Sequence, residues 1–268
     1  MAYLETQDGG RVYYQHHRAE KLPIMLIHGW GMSLEYWTST IEALLAAGHG
    51  VLALDQRGCG RSDRDFADMS VSAIASDVCG ILHQAGVDRI VLNGWSLGGA
   101  VAVEAAHQLG DRVAGLISTC GATPRYVQGE NFPHGGTADD VLVIADAITA
   151  DRANFFHGLA QGASGEGASD AMIAWVERGF IATGPRTSAT LMELAHLDQR
   201  DIFAAFRFPI LSIGGNKDMI ADPAIAAYAA KAAQNGRLLM MDTGHSPQLE
   251  RPAEYHQAIL NFLAELDG

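Results

Sequence analysis

Short apolar runs alternate with longer amphipathic stretches in the first half of the chain. The runs occupy residues 24–27, 51–54, 90–92 and 113–118 and are too short for helices. The segments between them, at 38–47, 70–85 and 98–109, have helical spacing and alanine-rich faces. Near-continuous apolar strands are expected where helices cover both faces of a parallel sheet. The pattern therefore predicts an α/β fold, preceded by a hairpin with strands at 3–6 and 12–17.

This alternation stops after residue 118 and resumes with runs at 209–213 and 237–241 and a C-terminal helix at 252–266. Residues 122–200 between the two parts show only helical periodicity, broken by glycine-rich stretches. We therefore predict a core domain formed by 1–121 and 201–268, with 122–200 inserted as a helical cap. In the cap, one helical face carries an apolar stripe that is expected to pack against the core, formed by Met172, Trp175, Val176 and Phe180.

Composition and charge limit the classes to which this protein can belong. Hydrophobic residues make up 48% of the chain and charged residues 18%, which is typical of a globular protein. The 18 Lys and Arg against 31 Asp and Glu give a net charge of −13, which disfavours nucleic acid and anionic membranes as partners. No secretory signal and no apolar run of the roughly 18 residues that span a membrane are evident. We expect a cytoplasmic protein.

The strongest local motif is Asn93-Gly94-Trp95-Ser96-Leu97-Gly98-Gly99, between a predicted strand and an alanine-rich predicted helix. It matches Gly-x-Ser-x-Gly, in which small residues give room for a tight strand-to-helix turn that exposes the serine. The free amides at the start of the following helix would stabilise negative charge on a substrate oxygen. A plain glycine turn is the alternative, but the flanking strand and helix favour Ser96 as a nucleophile.

A serine hydroxyl needs a base and an orienting carboxylate to act as a nucleophile at neutral pH. His245 follows the last predicted strand and precedes the final helix, and Asp218 follows the preceding strand in the same way. The carboxyl ends of parallel strands meet at one edge of a sheet, so these side chains are expected to meet Ser96 there. Asp222 is the alternative carboxylate, although its position at the start of a predicted helix is typical of a capping aspartate.

The site also needs two main-chain donors for a substrate oxyanion. The Leu97 amide, directly after the nucleophile, is the first candidate. The Trp30 amide is the second, because it lies between two glycines in the loop that leaves the first long strand. Beside it, His28 is expected to make a structural hydrogen bond. Aromatic side chains that could line an apolar pocket are Trp30, Trp95, Tyr36, Phe155 and Phe156.

Together these motifs resemble the α/β-hydrolase superfamily, and within it the pimeloyl-carrier-protein methyl ester carboxylesterases. The resemblance covers 28–32 with 35–37, the Gly-x-Gly-Arg-Ser turn at 58–62, the serine motif at 94–99, and the pairs 197–198 and 200–201. It implies Ser96, Asp218 and His245 as the triad, the Trp30 and Leu97 amides as the oxyanion hole, and Trp95 near the acyl chain. The fold implied is the α/β-hydrolase fold.

The charge of the predicted cap does not suit an acidic carrier protein as substrate. Residues 122–200 hold five arginines and ten acidic residues, so an acidic carrier protein would be repelled. We therefore predict a serine carboxylic-ester hydrolase that acts on small to medium, largely apolar esters or lactones. The same motifs occur in carbon–carbon bond hydrolases and cofactor-free perhydrolases, and a slow-turnover ligand-binding receptor on this fold is a further alternative.

No metal or cofactor is predicted. The three cysteines, Cys59, Cys79 and Cys120, are too few and too scattered for a disulfide framework or a four-ligand zinc site. The chain contains no His-Glu-x-x-His motif, and the adjacent His16 and His17 point to opposite faces of a predicted strand. The glycine-rich segment at 94–99 lacks the lysine of a phosphate-binding loop.

Overall fold

A twisted sheet forms the centre of the molecule in the computed structural model, which describes residues 2–165 and 167–266. Its eight strands in this part of the chain are β1 (Ala2–Glu5), β2 (Arg11–His17), β3 (Lys21–Ile27), β4 (His49–Leu54), β5 (Ile90–Trp95), β6 (Val113–Thr119), β7 (Ile210–Gly215) and β8 (Gly236–Met241). They lie in the order β1-β2-β4-β3-β5-β6-β7-β8. The hairpin β1–β2 and the pair β2–β4 are antiparallel, and the other pairs are parallel.

Helices cover both faces of the sheet and fill the connection between β6 and β7. They are α1 (Thr38–Ala46), α2 (Val71–Ala85), α3 (Leu97–Leu109), α4 (Ala138–Ala150), α5 (Arg152–Ala163), α6 (Asp170–Ile181), α7 (Thr187–Glu193), α8 (Arg200–Ala205), α9 (Pro223–Ala232), α10 (Pro247–Glu250) and α11 (Pro252–Leu266). None of the helices in the described part of the chain combines the length and apolar character that crossing a bilayer requires. The predicted α/β class and all eight predicted strands are confirmed.

The central strands are buried on both faces, which explains their uninterrupted apolar sequences. Every residue of β4, β5, β6 and β7 is buried, whereas the edge strands β1 and β8 contain exposed positions. Helix α3 is also largely buried, and its alanines let it approach the sheet closely. This packing holds the carboxyl ends of β5, β7 and β8 along one edge, which is where ligands bind in open α/β sheets.

The segment between β6 and β7 contains the helices α4 to α8, which follow a non-helical stretch at 120–137, and two isolated β-bridges. A capping box starts α4, since the Thr137 hydroxyl accepts from the Asp140 amide at 3.2 Å and the Asp140 carboxylate accepts from the Thr137 amide at 2.7 Å. Helix α8 starts at the predicted end of the cap and packs against α3 and α9. The division of the chain into core and cap stays a prediction.

Candidate active site

Ser96 lies in a strained turn between β5 and α3. Its backbone has φ 55° and ψ −123°, a conformation that costs energy in a residue other than glycine. A Cβ atom at Gly94 would lie 2.1 Å from the Gly98 carbonyl oxygen, and a Cβ atom at Gly98 would lie 2.3 Å from the Ile27 carbonyl oxygen. Only glycine therefore fits on either side of the turn, as the Gly-x-Ser-x-Gly pattern predicts.

His245 and Asp218 form a buried pair on the loops that follow β8 and β7. The Nδ1 atom of His245 lies 2.8 Å from Oδ2 of Asp218, and the two side chains are 5% and 1% exposed. The other carboxylate oxygen of Asp218 accepts from the Ile220 and Ala221 amides at 2.8 and 2.9 Å. Because the carboxylate accepts from Nδ1, this hydrogen bond orients the imidazole with Nε2 available as an acceptor. The structure thus joins two of the predicted residues directly.

Ser96 and His245 line the same cavity. Among the hydrogen bonds of the described residues, none joins the Ser96 hydroxyl to the imidazole. Such contacts are often long in unliganded hydrolases and shorten when substrate binds. The arrangement therefore brings together a serine, an imidazole and a buried carboxylate at one end of the sheet.

Asp222, the alternative carboxylate, has a different role in the structure. It is the N-cap of α9, and its two oxygens accept from the Ala224 amide at 2.9 Å and the Gly135 amide at 3.0 Å. These hydrogen bonds lower the pKa of Asp222, despite its partial burial. Asp222 therefore caps a helix, while Asp218 holds the imidazole.

Two candidate main-chain donors belong to residues that line the same cavity as Ser96. Leu97 is the first residue of α3 and has no preceding turn of helix to accept its amide hydrogen. Both Leu97 and Trp30 line the cavity, and neither main-chain N–H donates to an acceptor within the described residues. Unpaired amides beside an apolar cavity can hold a developing oxyanion, as the sequence predicts for these positions.

His28 fixes the peptide group that carries the Trp30 amide. This side chain is wholly buried, and its Nδ1 atom lies 2.7 Å from the Gly29 carbonyl oxygen. Its Nε2 atom accepts from the Gln56 amide at 2.9 Å, so the proton is on Nδ1. Burial lowers the pKa of His28 and keeps the ring neutral. Because a trans peptide directs C=O and N–H in opposite directions, the Gly29 anchor determines where the Trp30 N–H points.

The cavity has a volume of about 190 Å³ and is mostly apolar. Trp30, Trp95 and Phe155 line it, as predicted. Phe156 does not line this cavity, because it packs behind Trp30 and Phe180, with ring centroids 6.0 and 5.7 Å away. Tyr36, the other predicted pocket aromatic, also lies outside the lining and stacks on Trp175.

Besides lining the cavity, Trp95 contacts the loop of the catalytic candidate His245, since the indole Nε1 donates to the His245 carbonyl oxygen at 2.8 Å.

Most of the remaining cavity wall comes from the segment between β6 and β7 and from the loop after β7. It includes Tyr126, Ile144, Leu159, Val176, Phe180, Leu191, Leu194, Met219 and Ile220. Val176 and Phe180 belong to the apolar stripe of α6, which was a usable signal in the sequence. The other side chains come from separate elements and share no motif, so the sequence gives no indication that they meet.

Cys120 is an unpredicted neighbour of the Asp218–His245 pair. Its backbone is left-handed, with φ 42°, and burial raises the pKa of its thiol well above the usual range. One ligand-type atom each of Cys120, Asp218 and His245 lies within 4.8 Å of the others, a spacing that a metal ion could share. The 2.8 Å hydrogen bond already joins two of these groups. Metal-independent activity stays a prediction.

Comparisons with known proteins agree with this architecture. A bifunctional esterase/perhydrolase from Acinetobacter calcoaceticus is 24% identical over 249 residues, which is 89% of this chain and 90% of the relative. A pimeloyl-[acyl-carrier protein] methyl ester esterase from Stenotrophomonas maltophilia is 28% identical over 253 residues, 91% of this chain and 93% of the relative. An esterase structure from Exiguobacterium antarcticum has a TM-score of 0.93 at 21% identity and covers 98% of each chain.

The family comparison covers most of the chain. Residues 23–252 match the family model of the alpha/beta hydrolase fold, a stretch that contains the serine turn, the aspartate and the histidine described above. The sheet order and the glycine-flanked serine at the end of β5 are consistent with that match. The chain therefore belongs to the α/β-hydrolase family of enzymes.

Proposed function

We propose that the protein is a serine hydrolase of carboxylic esters, with Ser96, His245 and Asp218 as its catalytic triad. One observation carries this proposal: Ser96, in its glycine-rich turn, and His245, held by the buried Asp218, line one apolar cavity. The order of the three residues along the chain is the order usual in α/β-hydrolases.

The proposed reaction proceeds through an acyl-enzyme. Ser96 Oγ attacks the carbonyl carbon of the ester while Nε2 of His245 takes the hydroxyl proton. The Trp30 and Leu97 amides bind the oxyanion, and Asp218 stabilises the imidazolium. The tetrahedral adduct then breaks its bond to the alcohol oxygen, which receives the proton from His245. Water, activated by the same imidazole, attacks the acyl-enzyme and releases the acid and free Ser96.

The cavity wall favours a neutral, largely apolar acyl group. Apart from His245 and Tyr126, its described lining has no side chain that ionises in the usual pH range of enzyme assays. Burial raises the pKa of Tyr126 to about 12, and its hydroxyl donates to the Ile220 carbonyl oxygen at 2.7 Å. A substrate carboxylate would therefore lose its hydration without gaining a cationic partner. The volume of about 190 Å³ suits small to medium esters and lactones.

The surface of the predicted cap supports a small-molecule substrate rather than an acidic carrier protein. Its arginines already contact acidic or carbonyl groups of this chain: Arg125 and Arg200 bind Asp198, Arg178 binds Glu35, Arg186 binds Asp65, and Arg152 donates to Thr183. An approaching acidic protein would have to compete with these contacts. The carrier-protein esters of the Stenotrophomonas relative are therefore not the substrates we propose here.

Perhydrolysis is a second candidate, favoured by the similarity to the Acinetobacter esterase/perhydrolase. Hydrogen peroxide would replace water in attacking the Ser96 acyl-enzyme, so that a peracid and free Ser96 are released. The same triad and cavity serve both reactions. The ratio of peracid to acid formed from one ester in the presence of peroxide distinguishes them.

The Ser96→Ala variant tests the proposed function. Loss of a triad nucleophile reduces kcat by several orders of magnitude in serine hydrolases. We therefore expect turnover of p-nitrophenyl butyrate to fall at least about 10³-fold and covalent labelling by a fluorophosphonate to disappear, with the thermal unfolding midpoint little changed. Wild-type activity should persist in EDTA. Equal turnover in wild type and Ser96→Ala would refute the nucleophile, and loss of activity in EDTA would point to a metal at Cys120, Asp218 and His245.

A further inference from the structure

Glu250, the last residue of α10, holds the main chain on both sides of His245. Its Oε2 atom accepts from the Gly244 amide at 2.7 Å, and its Oε1 atom accepts from the Ser246 amide at 2.9 Å. One half-buried carboxylate thus binds the two peptide N–H groups that flank the imidazole-bearing residue. Both hydrogen bonds involve an ionised acceptor, which makes them stronger than neutral ones.

The segment after α5 packs over this carboxylate. A Cβ atom at Gly165 would lie 2.1 Å from Oε2 of Glu250 and 3.1 Å from the Gly244 nitrogen. Nearby, the Ser246 hydroxyl donates to the Ala163 carbonyl oxygen at 3.1 Å. The His245 loop is therefore enclosed between the carboxylate and the inserted segment, and a displaced Glu250 would leave two amides without their acceptor.

We propose that Glu250 is a positioning residue for the reaction, which fixes the His245 imidazole through its two flanking amides and favours the protonated imidazole through its charge. The kinetic part of this inference rests on the proposed function. No motif singles out Glu250 in the sequence, since its action depends on a contact with residues four and six positions earlier in the chain.

The charges around Glu250 support an electrostatic effect on His245. The pKa of Glu250 is raised, chiefly by burial and also by the Asp218 charge. The Gly244 and Ser246 amides and the His245 imidazole act in the opposite direction. The groove beside the carboxylate is also lined by Lys217, Asp242 and Arg251. Asp242 pairs with Lys217 at 3.0 Å and with Arg251 at 3.5 Å, and Arg251 also pairs with Glu254 at 3.3 Å, so these two cations and two anions carry no net charge. Glu250 is then, with Asp218, a negative charge that acts on the imidazolium.

The Glu250→Gln variant removes the charge and one acceptor while it keeps the side-chain shape. The amide nitrogen cannot accept, so one of the two flanking N–H groups loses its partner. We expect kcat for p-nitrophenyl butyrate to fall about tenfold or more, because small displacements of a catalytic group are costly, with KM little changed. The acidic limb of the kcat/KM profile should move to lower pH by about 0.5 unit or more, because a negative charge near the imidazolium is lost.

Two further variants separate charge from position. Glu250→Asp keeps the charge but is one methylene shorter and cannot reach both amides, so kcat should fall while the acidic limb stays near that of wild type. Glu254→Gln is the matched control, because Glu254 lies on the exposed side of α11 and pairs only with Arg251 among the described residues. A Glu250→Gln enzyme with the kcat and pH profile of Glu254→Gln would overturn the proposal. If Glu250→Gln does not fold, equal kcat in Glu250→Asp and Glu254→Gln would do the same.

A spectroscopic measurement separates this inference from the proposed function. The Nδ1 proton shared between His245 and Asp218 is expected to give a low-field proton NMR signal, which can be followed against pH in wild type, Glu250→Gln and Ser96→Ala. A lower midpoint in Glu250→Gln alone supports the proposal even in a protein without esterase activity, and an unchanged midpoint contradicts the electrostatic part. Failure of the proposed function would instead appear as equal ester turnover in wild type and Ser96→Ala.

Discussion

The His28 side chain lies outside the cavity lining but holds the peptide group of Trp30, a residue that lines the cavity. Its Nδ1 donates to the Gly29 carbonyl oxygen and its Nε2 accepts from the Gln56 main-chain amide, while the Gln56 side-chain nitrogen also lies 3.3 Å from Nδ1. The first bond orients the Trp30 N–H, and the second satisfies a buried donor. Replacing one nitrogen at a time should therefore separate an effect on rate from an effect on stability.

We expect His28→Gln and His28→Asn to differ in this way. Glutamine can keep an acceptor for the Gln56 amide but not the donor to Gly29, so kcat should fall by about tenfold to a hundredfold, less than the loss of a whole oxyanion donor. Asparagine can keep the donor and should retain more activity. It leaves the Gln56 amide unpaired, which costs about 1–3 kcal/mol of unfolding free energy. Steady-state kinetics give kcat, and urea unfolding gives the free energy of unfolding, for both variants. The same ratio of rate loss to stability loss in the two variants would contradict the prediction.

The positions of single site residues were predictable where a sequence motif places them at the end of a strand. Ser96, Asp218 and His245 each follow an apolar strand, and the structure places them at one edge of the sheet. His28 was expected to make a structural bond, but its partner is not readable from sequence. Glu250 and Cys120 carry no motif, because their contacts depend on how loops from distant parts of the chain pack together.

At the level of elements, the close contact between α3 and β3 sets the position of the Leu97 amide. A Cβ atom at Gly98 would lie 2.3 Å from the Ile27 carbonyl oxygen, and a backbone oxygen cannot move aside cheaply. Helix α3 is thus fixed by contact between two main chains. Any side chain at position 98 must shift the helix start, and with it both Ser96 and the Leu97 donor.

We therefore expect Gly98→Ala to lower kcat/KM for p-nitrophenyl butyrate by about 10²-fold or more and to lower the unfolding free energy by about 1–3 kcal/mol. Gly158→Ala is the matched control, because Gly158 lies inside α5 with no atom near its would-be Cβ. That change should leave activity intact and raise stability by up to about 1 kcal/mol, since alanine favours the helix. Full activity of Gly98→Ala would show that the helix start tolerates displacement.

The interiors of the elements were easier to predict than their ends. The apolar run 90–92 is the buried first half of β5, and the strand continues through Asn93, Gly94 and Trp95. Asn93 and Gly94 are of types depleted in strands, and all three residues are held by pairing with β6. In the segment between β6 and β7, periodicity predicted helices but not which of their faces would line the cavity. Tertiary packing, rather than local preference, decides where β5 ends and which helix faces line the cavity.

At the scale of the whole molecule, the α/β order of the chain predicted the fold, because alternating strands and helices leave few ways to bury both faces of a sheet. The cavity could not be predicted in the same way. Its wall combines loops after β3, β6 and β7 with helices of the inserted segment, and its shape depends on their relative packing. We expect the net charge and the cavity polarity together to limit the substrates that can enter.

Two effects should act against an anionic substrate, and salt separates them. The net charge of −13 repels an anion over distances that salt screens, with a Debye length of about 10 Å at 0.1 M. The apolar cavity imposes a desolvation cost that salt does not remove. For two p-nitrophenyl esters of equal chain length, one ending in a carboxylate, we expect kcat/KM to be at least about tenfold lower for the carboxylate. Raising NaCl from about 0.02 to 0.5 M should recover only part of the difference. A preference for the carboxylate at both salt concentrations would mean that a cationic group reaches the bound acyl chain and that the apolar cavity does not set specificity.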